Sequence, residues 1–269
     1  MANADDRRRQ AQKAMKSARG GAGNDRRWII IGIVAVVLLA GGVIGGVIYQ
    51  QQSIAQANAQ AQQAPIPAAH ASATYPTAVD KTAATVTVGK DDAKTTIDAY
   101  EDFLCPVCGQ FEKVYFPQLD KHLAAGDLKI RYHLLNLLDN SSKPAGYSMI
   151  SANTALAVAT AAPDKFMDFH LSLYQKQPTE GKAGWTQDQL TDLAHRLGAT
   201  GAQFDDLVRN KTYNQQIQQN LTTAEQDQNL WQAGQDGSKT FGTPTIAFNG
   251  KAVSVADPNW IDKVIAGTS

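Results

Sequence analysis

The stretch Phe-Leu-Cys-Pro-Val-Cys, residues 103–108, decides the fold, because it joins an apolar, strand-like run to a helix-like one. It contains Cys105 and Cys108, the only two cysteines among 269 residues. A strand that delivers a Cys-x-x-Cys pair onto a helix N-terminus has the arrangement that thiol–disulfide exchange needs. The N–H groups and the partial positive charge at a helix N-terminus stabilise a thiolate. The pattern predicts that Cys105 attacks and that Cys108 resolves the mixed disulfide from one turn away.

Two other uses of the cysteine pair have to be weighed. A permanent disulfide would close so small a ring that it removes only roughly 2 kcal/mol of unfolded-chain entropy. Half of a tetrahedral zinc site would need two further ligands at suitable spacing. The five histidines stand singly, without a His-x3-His pair, at His70, His122, His133, His170 and His195. The sequence therefore favours redox chemistry over a permanent structural disulfide or a zinc site, and no metal ligands are predicted.

The N-terminal part of the sequence indicates a membrane anchor. Residues 28–49 form an uncharged run of 22 residues, which at about 1.5 Å per residue spans a hydrocarbon core of roughly 30 Å. The run is longer than the apolar part of an ordinary signal peptide. Residues 1–27 hold eight basic and three acidic residues. The positive-inside rule predicts a cytoplasmic tail at 1–27, an anchor at 28–49 and an extracytoplasmic remainder. A signal peptide cleaved near Ala57-Asn58-Ala59 is the alternative.

The remainder divides into a tether and one domain. Residues 50–80 are rich in Ala, Gln and Pro and offer little to bury, which is typical of a tether. Residues 81–269 suit one domain with a substantial core. Outside the basic tail the chain holds 17 basic and 22 acidic residues. This mildly acidic balance does not indicate nucleic-acid binding, and topology together with contact to anionic membrane lipid explains the tail.

Alternation and helical spacing predict the element order β-β-α-β, a helical block, and β-β-α. The predicted strands cover residues 85–89, 95–100, 129–134, 245–248 and 251–255. The predicted helices cover residues 106–125, 145–161, 164–175, 186–197, 200–209 and 213–234, and a last helix ends near 266. Thr186 and Gln189 form a capping-box pattern, and Asn249-Gly250 is a strong signal for a two-residue hairpin turn.

This order resembles that of the DsbA-like thiol–disulfide oxidoreductases over about residues 82–267. Two motifs carry the resemblance, residues 103–108 and the late Phe-Gly-Thr-Pro-Thr at 241–245. The resemblance implies an α/β chain: a thioredoxin fold with an all-helical domain inserted at about 144–234, preceded here by one transmembrane helix. It implies no cofactor.

The resemblance also implies roles for individual residues. Cys105 is expected to be the nucleophile, and Cys108 the buried resolving cysteine. Thr243 and Pro244 should form a cis-proline loop that faces the cysteines. The backbone of Thr243 would then pair with an extended substrate strand close to Cys105.

Residues between the cysteines and just before them depart from the family pattern. Relatives usually carry a carboxylate six residues before the first cysteine, where this chain has Ala99. Glu101 would face the same side of a strand and could serve instead as the acid that moves protons on and off Cys108, or it is a solvated loop acid. Asp102 is expected to cap structurally.

The dipeptide between the cysteines, Pro106-Val107, is expected to tune the redox couple. The Val107 side chain donates no hydrogen bond, whereas strong oxidants of the family often have histidine there. The pKa of Cys105 should therefore be lowered, but less than in those oxidants.

The function that the sequence favours is donation of a disulfide to exported proteins. The partners would be exported polypeptides with reduced cysteines and, as a family expectation, a membrane protein that reoxidises the couple. A disulfide isomerase or reductase of the same fold is one alternative, and a non-enzymatic tethered chaperone or binding module is another. The oligomeric state stays open.

Overall fold

The computed structural model describes residues 64–234 and 237–267. The predicted cytoplasmic tail, the predicted anchor at 28–49 and residues 50–63 of the predicted tether lie outside these residues. Within the described part of the chain, no helix is both long and apolar enough to cross a membrane.

A six-stranded sheet forms the centre of the domain. In chain order, its strands are β1 Thr77–Asp80, β2 Thr85–Val88, β3 Thr95–Glu101, β4 Leu128–Leu134, β7 Thr245–Phe248 and β8 Lys251–Ala252. Their order across the sheet is β1-β2-β4-β3-β7-β8. β3 and β4 are parallel, and every other neighbouring pair is antiparallel. A parallel pair needs a crossover, so the segment between β3 and β4 must leave the sheet and return.

Helix α1, Pro106–Ala125, is that crossover. Cys105 is its N-cap and Pro106 stands in its first turn, where a missing N–H has no cost. The helix ends at Gly126, whose φ of 84° is left-handed and favours glycine. The backbone geometry therefore places the Cys-x-x-Cys pair at the end of the central strand and the start of a long helix.

Five helices follow β4, and one closes the domain. They are α2 Tyr147–Ala161, α3 Phe166–Gln175, α4 Gln187–Leu197, α5 Ala202–Arg209, α6 Asn214–Gln226 and α7 Trp260–Ile265. α2 is buried almost all round, with nine consecutive buried residues at 151–159, as expected for a helix without a polar face. The capping box of Thr186 and Gln189 at the start of α4 is confirmed. The predicted helical block after the Cys-x-x-Cys helix is therefore present.

The last part of the predicted helix 213–234 is wrong. α6 ends at Gln226, and the Asp227 carboxylate then accepts a hydrogen bond from the backbone N–H of Asn229 in a short 3-10 helix. The chain next forms β5, Gln232–Ala233, which pairs with β6, Lys239–Thr240. A side chain that captures a nearby backbone N–H competes with the helix ladder, which explains the early stop.

The described part of the predicted tether, residues 64–80, differs from an unpacked linker. Residues 77–80 form β1 and pair with β2. Ile66 and Tyr75 are buried. The Arg196 guanidinium donates to the Ile66 carbonyl at 2.7 Å. A few apolar side chains and one edge strand are enough to hold this segment on the domain, although its composition is typical of a linker.

The hairpin after residue 244 has the predicted turn. Asn249 and Gly250 have φ values of 50° and 75°, and Phe248 pairs with Lys251 across the turn. Two positive φ values in a two-residue loop match the right-handed twist of the strands. The returning strand is shorter than predicted and ends at Ala252.

Candidate active site

Both cysteines lie at the junction between the carboxyl end of β3 and the start of α1. The backbone N–H of Cys105 donates to the Asp102 carbonyl at 3.0 Å, and the Cys105 carbonyl accepts from Gly109 at 3.2 Å. Cys105 is 5% exposed and Cys108 is not exposed. Both are free thiols. Of the two, only Cys105 is open to a substrate.

The predicted cis-proline loop lies against Cys105. The Thr243–Pro244 bond is cis, and the Cys105 thiol donates a hydrogen bond to the Thr243 carbonyl at 3.2 Å. The two residues are 138 positions apart in sequence. The antiparallel pairing of β7 with β3 brings them together, because it sets the start of β7 beside the end of β3.

The two thiols have pKa values shifted in opposite directions. The pKa of Cys105 is lowered to about 6, first by the Cys108 thiol, against burial, and then by the Thr243 side chain and the N–H groups of Cys108 and Val107. The direction matches the prediction, although the neighbouring thiol contributes more than the helix N–H groups. Burial raises the pKa of Cys108 well above its usual value, and Cys105 and Glu101 add to this. Val107 is 59% exposed. Its contribution to the lowered pKa of Cys105 comes from its backbone N–H.

Glu101, the last residue of β3, is completely buried, so it is not a solvated loop acid. Burial raises its pKa well above the usual value, and the neighbouring Glu112 raises it further. The Tyr174 hydroxyl donates to Glu101 Oε2 at 3.4 Å. Ala99 is buried two residues earlier on the same strand. The acid of this site therefore stands at Glu101, where it acts on the pKa of Cys108.

Sequence reasoning missed two residues beside Glu101. His170 Nε2, on α3, lies 3.4 Å from Glu101 Oε2 and 3.4 Å from Glu112 Oε1. Glu112 lies on α1, four residues after Cys108, and an acid at that spacing shares a helix face with the cysteine. That spacing could have revealed Glu112. His170 carries no such signal, because only tertiary packing brings α3 to the site.

The predicted capping role of Asp102 is wrong. The N-cap of α1 is Cys105, and no side chain caps it. The buried Asp102 carboxylate instead accepts from the N–H groups of Leu104 and Leu138, each at 2.8 Å, and from the Ser148 hydroxyl at 2.7 Å. Burial raises the pKa of Asp102 to about 6. Asp102 therefore connects the loop before the cysteines to the segment that follows β4 and to α2.

Gln177, just after α3, is a further residue that the sequence did not reveal. Its side-chain amide donates to the carbonyls of Phe103 at 3.0 Å and Cys105 at 2.8 Å. Gly109 leaves room for this contact, because a Cβ there would lie 2.4 Å from Gln177 Oε1. Gln177 thus holds the backbone that immediately precedes the helix start.

Comparison with known proteins agrees with this geometry. Residues 81–266 match the family model described as thioredoxin. The chain belongs to the thioredoxin family, and within it to the DsbA-like thiol–disulfide oxidoreductases.

Two curated relatives and two solved structures illustrate the similarity. Disulfide bond formation protein D of Bacillus subtilis is 30% identical over 183 residues, 66% of this chain and 74% of that protein. Serine/threonine-protein kinase PknE of Mycobacterium tuberculosis is 31% identical over 183 residues, 67% of this chain, which spans only 31% of that kinase.

Oxidised BdbD from Bacillus subtilis superposes with a TM-score of 0.54 at 25% identity, covering 73% of this chain and 98% of that one. MdbA, a thiol-disulfide oxidoreductase from Corynebacterium diphtheriae, has a TM-score of 0.57 at 22% identity, covering 71% and 95%. The latter likeness shows the fold alone.

Proposed function

We propose that this chain is an extracytoplasmic thiol–disulfide oxidoreductase whose Cys105–Cys108 couple donates a disulfide to exported proteins. One observation carries the proposal: Cys105 Sγ stands at a helix N-terminus 3.2 Å from the Thr243 carbonyl. Its pKa is lowered to about 6, while Cys108 is fully buried behind it. This asymmetry separates a reactive thiol from a resolving one.

The residues support a balanced exchange reaction. A substrate thiolate attacks Cys105 Sγ of the oxidised couple, and the bond to Cys108 breaks with its electron pair on Cys108. Glu101, a buried carboxyl whose pKa is raised well above its usual value by burial and by Glu112, supplies the proton that Cys108 takes up. A second substrate thiolate then attacks the substrate sulfur of the mixed disulfide, and Cys105 leaves. The substrate loses two electrons, and the couple becomes a dithiol.

The lowered pKa of Cys105 favours donation rather than acceptance of a disulfide. A thiol of low pKa is a good leaving group, and a stabilised thiolate makes the reduced couple more stable. Val107, with no hydrogen-bond donor in its side chain, should leave this couple less oxidising than one with histidine there. The backbone of Thr243 would pair with an extended substrate segment beside Cys105.

The location and the partners follow from the N-terminal sequence and the chemistry. The apolar run 28–49 and the basic residues before it support a single-pass anchor with the domain outside the membrane. Disulfides persist in that compartment. The substrates would be exported polypeptides with reduced cysteines. A membrane protein that accepts electrons would have to return the dithiol to the disulfide.

The reduction potential tests the direction of electron flow. The full chain in detergent is equilibrated with glutathione buffers, and the dithiol fraction is measured by thiol trapping. A value near −120 to −180 mV is expected, as for known oxidants and isomerases. A value near −270 mV would indicate a reductase. A disulfide that resists reduction below about −300 mV would contradict any exchange function.

Single-cysteine variants test the assignment of the two thiols. Cys105→Ser should no longer accelerate the refolding of a reduced disulfide protein. Cys108→Ser keeps the attacking thiol but cannot resolve it, so mixed disulfides with substrate should accumulate. Acceleration by Cys105→Ser equal to that of the unmodified chain would show that Cys105 is not the nucleophile.

A further inference from the structure

Three buried ligand-type side chains converge behind the cysteines. Glu101, Glu112 and His170 each offer one ligand atom, and these atoms lie within 4.8 Å of one another. They come from three different elements, β3, α1 and α3. Each of the three is at most 3% exposed. The convergence therefore results from tertiary packing and not from one local motif.

Most of the polar atoms in this cluster have no hydrogen-bond partner among the described residues. Five buried atoms lack such a partner: Glu101 Oε1, both oxygens of Glu112 and both ring nitrogens of His170. Burying carboxylates without partners costs several kcal/mol, so buried polar groups without a partner call for an explanation. A cation bound between the three side chains would supply the missing partner.

The distances suit a small divalent cation. His170 Nε2 lies 3.4 Å from an oxygen of Glu101 and 3.4 Å from an oxygen of Glu112. Two ligands that share a tetrahedral zinc ion, with bonds of about 2.0–2.1 Å, lie about 3.3–3.4 Å apart. One imidazole and two carboxylates form a donor set of nitrogen and oxygen that zinc accepts.

A cavity borders the cluster. This partly open cavity of about 360 Å³ is lined by Glu112 and Tyr174, with His70 also on its wall. Tyr174 is the residue whose hydroxyl donates to Glu101. The cluster is therefore separated from the cavity only by side chains that line the cavity or contact a ligand.

We propose that Glu101, Glu112 and His170 bind a divalent transition cation, with zinc as the best match. This site differs from a zinc site on the cysteines, because its ligands are oxygen and nitrogen only.

Metal binding can be measured without any exchange activity. The full chain carrying Cys105→Ser and Cys108→Ser is purified in detergent, freed of metal with a chelator and titrated with Zn²⁺ against a chromophoric competitor. One equivalent of zinc should bind, and X-ray absorption should show only nitrogen and oxygen ligands. If no zinc binds to this variant, the proposal is overturned, whereas the oxidoreductase function is untouched.

Ligand variants locate the ion. Glu112→Gln and His170→Asn, each in the cysteine-free chain, should weaken zinc binding at least about tenfold, and circular dichroism shows whether each variant folds. Should one of them fail to fold, the other still decides the question. His70→Asn is the matched control, because His70 pairs with Asp168 near the cavity and should not affect binding. Loss of binding in His70→Asn, with binding retained in Glu112→Gln and His170→Asn, would place the ion on the surface and overturn the proposal.

Discussion

Asp98 and Glu101 lie three residues apart on β3 and therefore face opposite sides of the sheet. Asp98 accepts from His133 at 2.8 Å and from the Arg131 guanidinium at 3.0 Å. Burial alone would raise the pKa of Asp98, but His133 and Arg131 outweigh it and hold the pKa below its usual value. Glu101 has no guanidinium in its ion pairs among the described residues, since its neighbour there is His170 at 3.4 Å, and its pKa is raised.

The difference separates an acid held in an ion pair from an acid buried beside another acid. Hydrogen bonds from His133 and Arg131 favour the ionised form of Asp98. Burial and the neighbouring Glu112 favour the protonated form of Glu101. A carboxyl group that holds a proton beside a buried thiol can donate that proton during exchange. Two acids on one strand thus acquire different roles from the layers packed on each face.

The largest effect that this comparison predicts is on the rate of exchange. Glu101→Gln keeps the shape of the side chain but has no acidic proton, so reduction of the oxidised couple by a dithiol peptide should slow by about 100-fold. Asp98→Asn should change this rate less than twofold. Single-turnover stopped-flow measurements at pH 7 compare the two variants. Equal rates for Glu101→Gln and the unmodified chain would remove Glu101 from the mechanism.

A second prediction concerns stability. Here Asp98→Asn should have the larger effect and Glu101→Gln the smaller one. Asp98→Asn removes two charge-assisted contacts and should lower the free energy of unfolding at pH 7 by about 2 kcal/mol, since Arg131 is half exposed. Glu101→Gln should cost less, because it removes no contact with a guanidinium and keeps the shape of the buried side chain.

The pH dependence of the Asp98 effect has a defined sign. Asp98 has a lowered pKa in the folded state, so its contribution is present above about pH 4, its pKa when unfolded. The contribution is lost as the pH falls through the folded pKa. Denaturant unfolding at pH 7 and pH 3 should therefore give a large difference between Asp98→Asn and the unmodified chain at pH 7 and a small one at pH 3. A difference that grows toward pH 3 would contradict the assigned ion pair.

The smallest predicted effect compares two side-chain amides, those of Gln177 and Asn220, each of which donates to a backbone carbonyl. Gln177 donates to the Cys105 carbonyl, and Asn220 donates to the Ala83 carbonyl at 2.7 Å. Either change to alanine should cost about 1 kcal/mol of stability. Only Gln177→Ala should also raise the pKa of Cys105, by less than about one unit, because it releases the Cys105 carbonyl and loosens the helix start whose N–H groups lower that pKa.

Thiolate absorbance at 240 nm against pH measures this shift. The unmodified chain should titrate with a midpoint near the pKa of about 6, and Asn220→Ala should titrate at the same pH. An unchanged midpoint in Gln177→Ala would limit Gln177 to a structural role.

Much of the fold could be predicted from local sequence patterns. The Cys-x-x-Cys motif, the proline in the first helical turn and Gly126 locate α1, because each acts within a few residues. The same holds for the capping box at Thr186 and the turn at Asn249-Gly250. Two local predictions differ from the structure. The predicted helix 213–234 ends early because the Asp227 side chain binds a nearby backbone N–H. The segment of linker-like composition packs on the domain through apolar side chains such as Ile66.

The sequence by itself determined where the candidate site lies: two cysteines at the start of a helix and a proline loop that precedes a hairpin. Only the tertiary structure decided how these residues behave. It buries Glu101 against Glu112 and His170. It gives Asp102, which was expected to cap the helix, hydrogen bonds to three separate segments, and it brings Gln177 to the helix start. The physical reason is that a pKa and an unpaired polar atom depend on burial and on neighbours distant in sequence, and no local pattern encodes either.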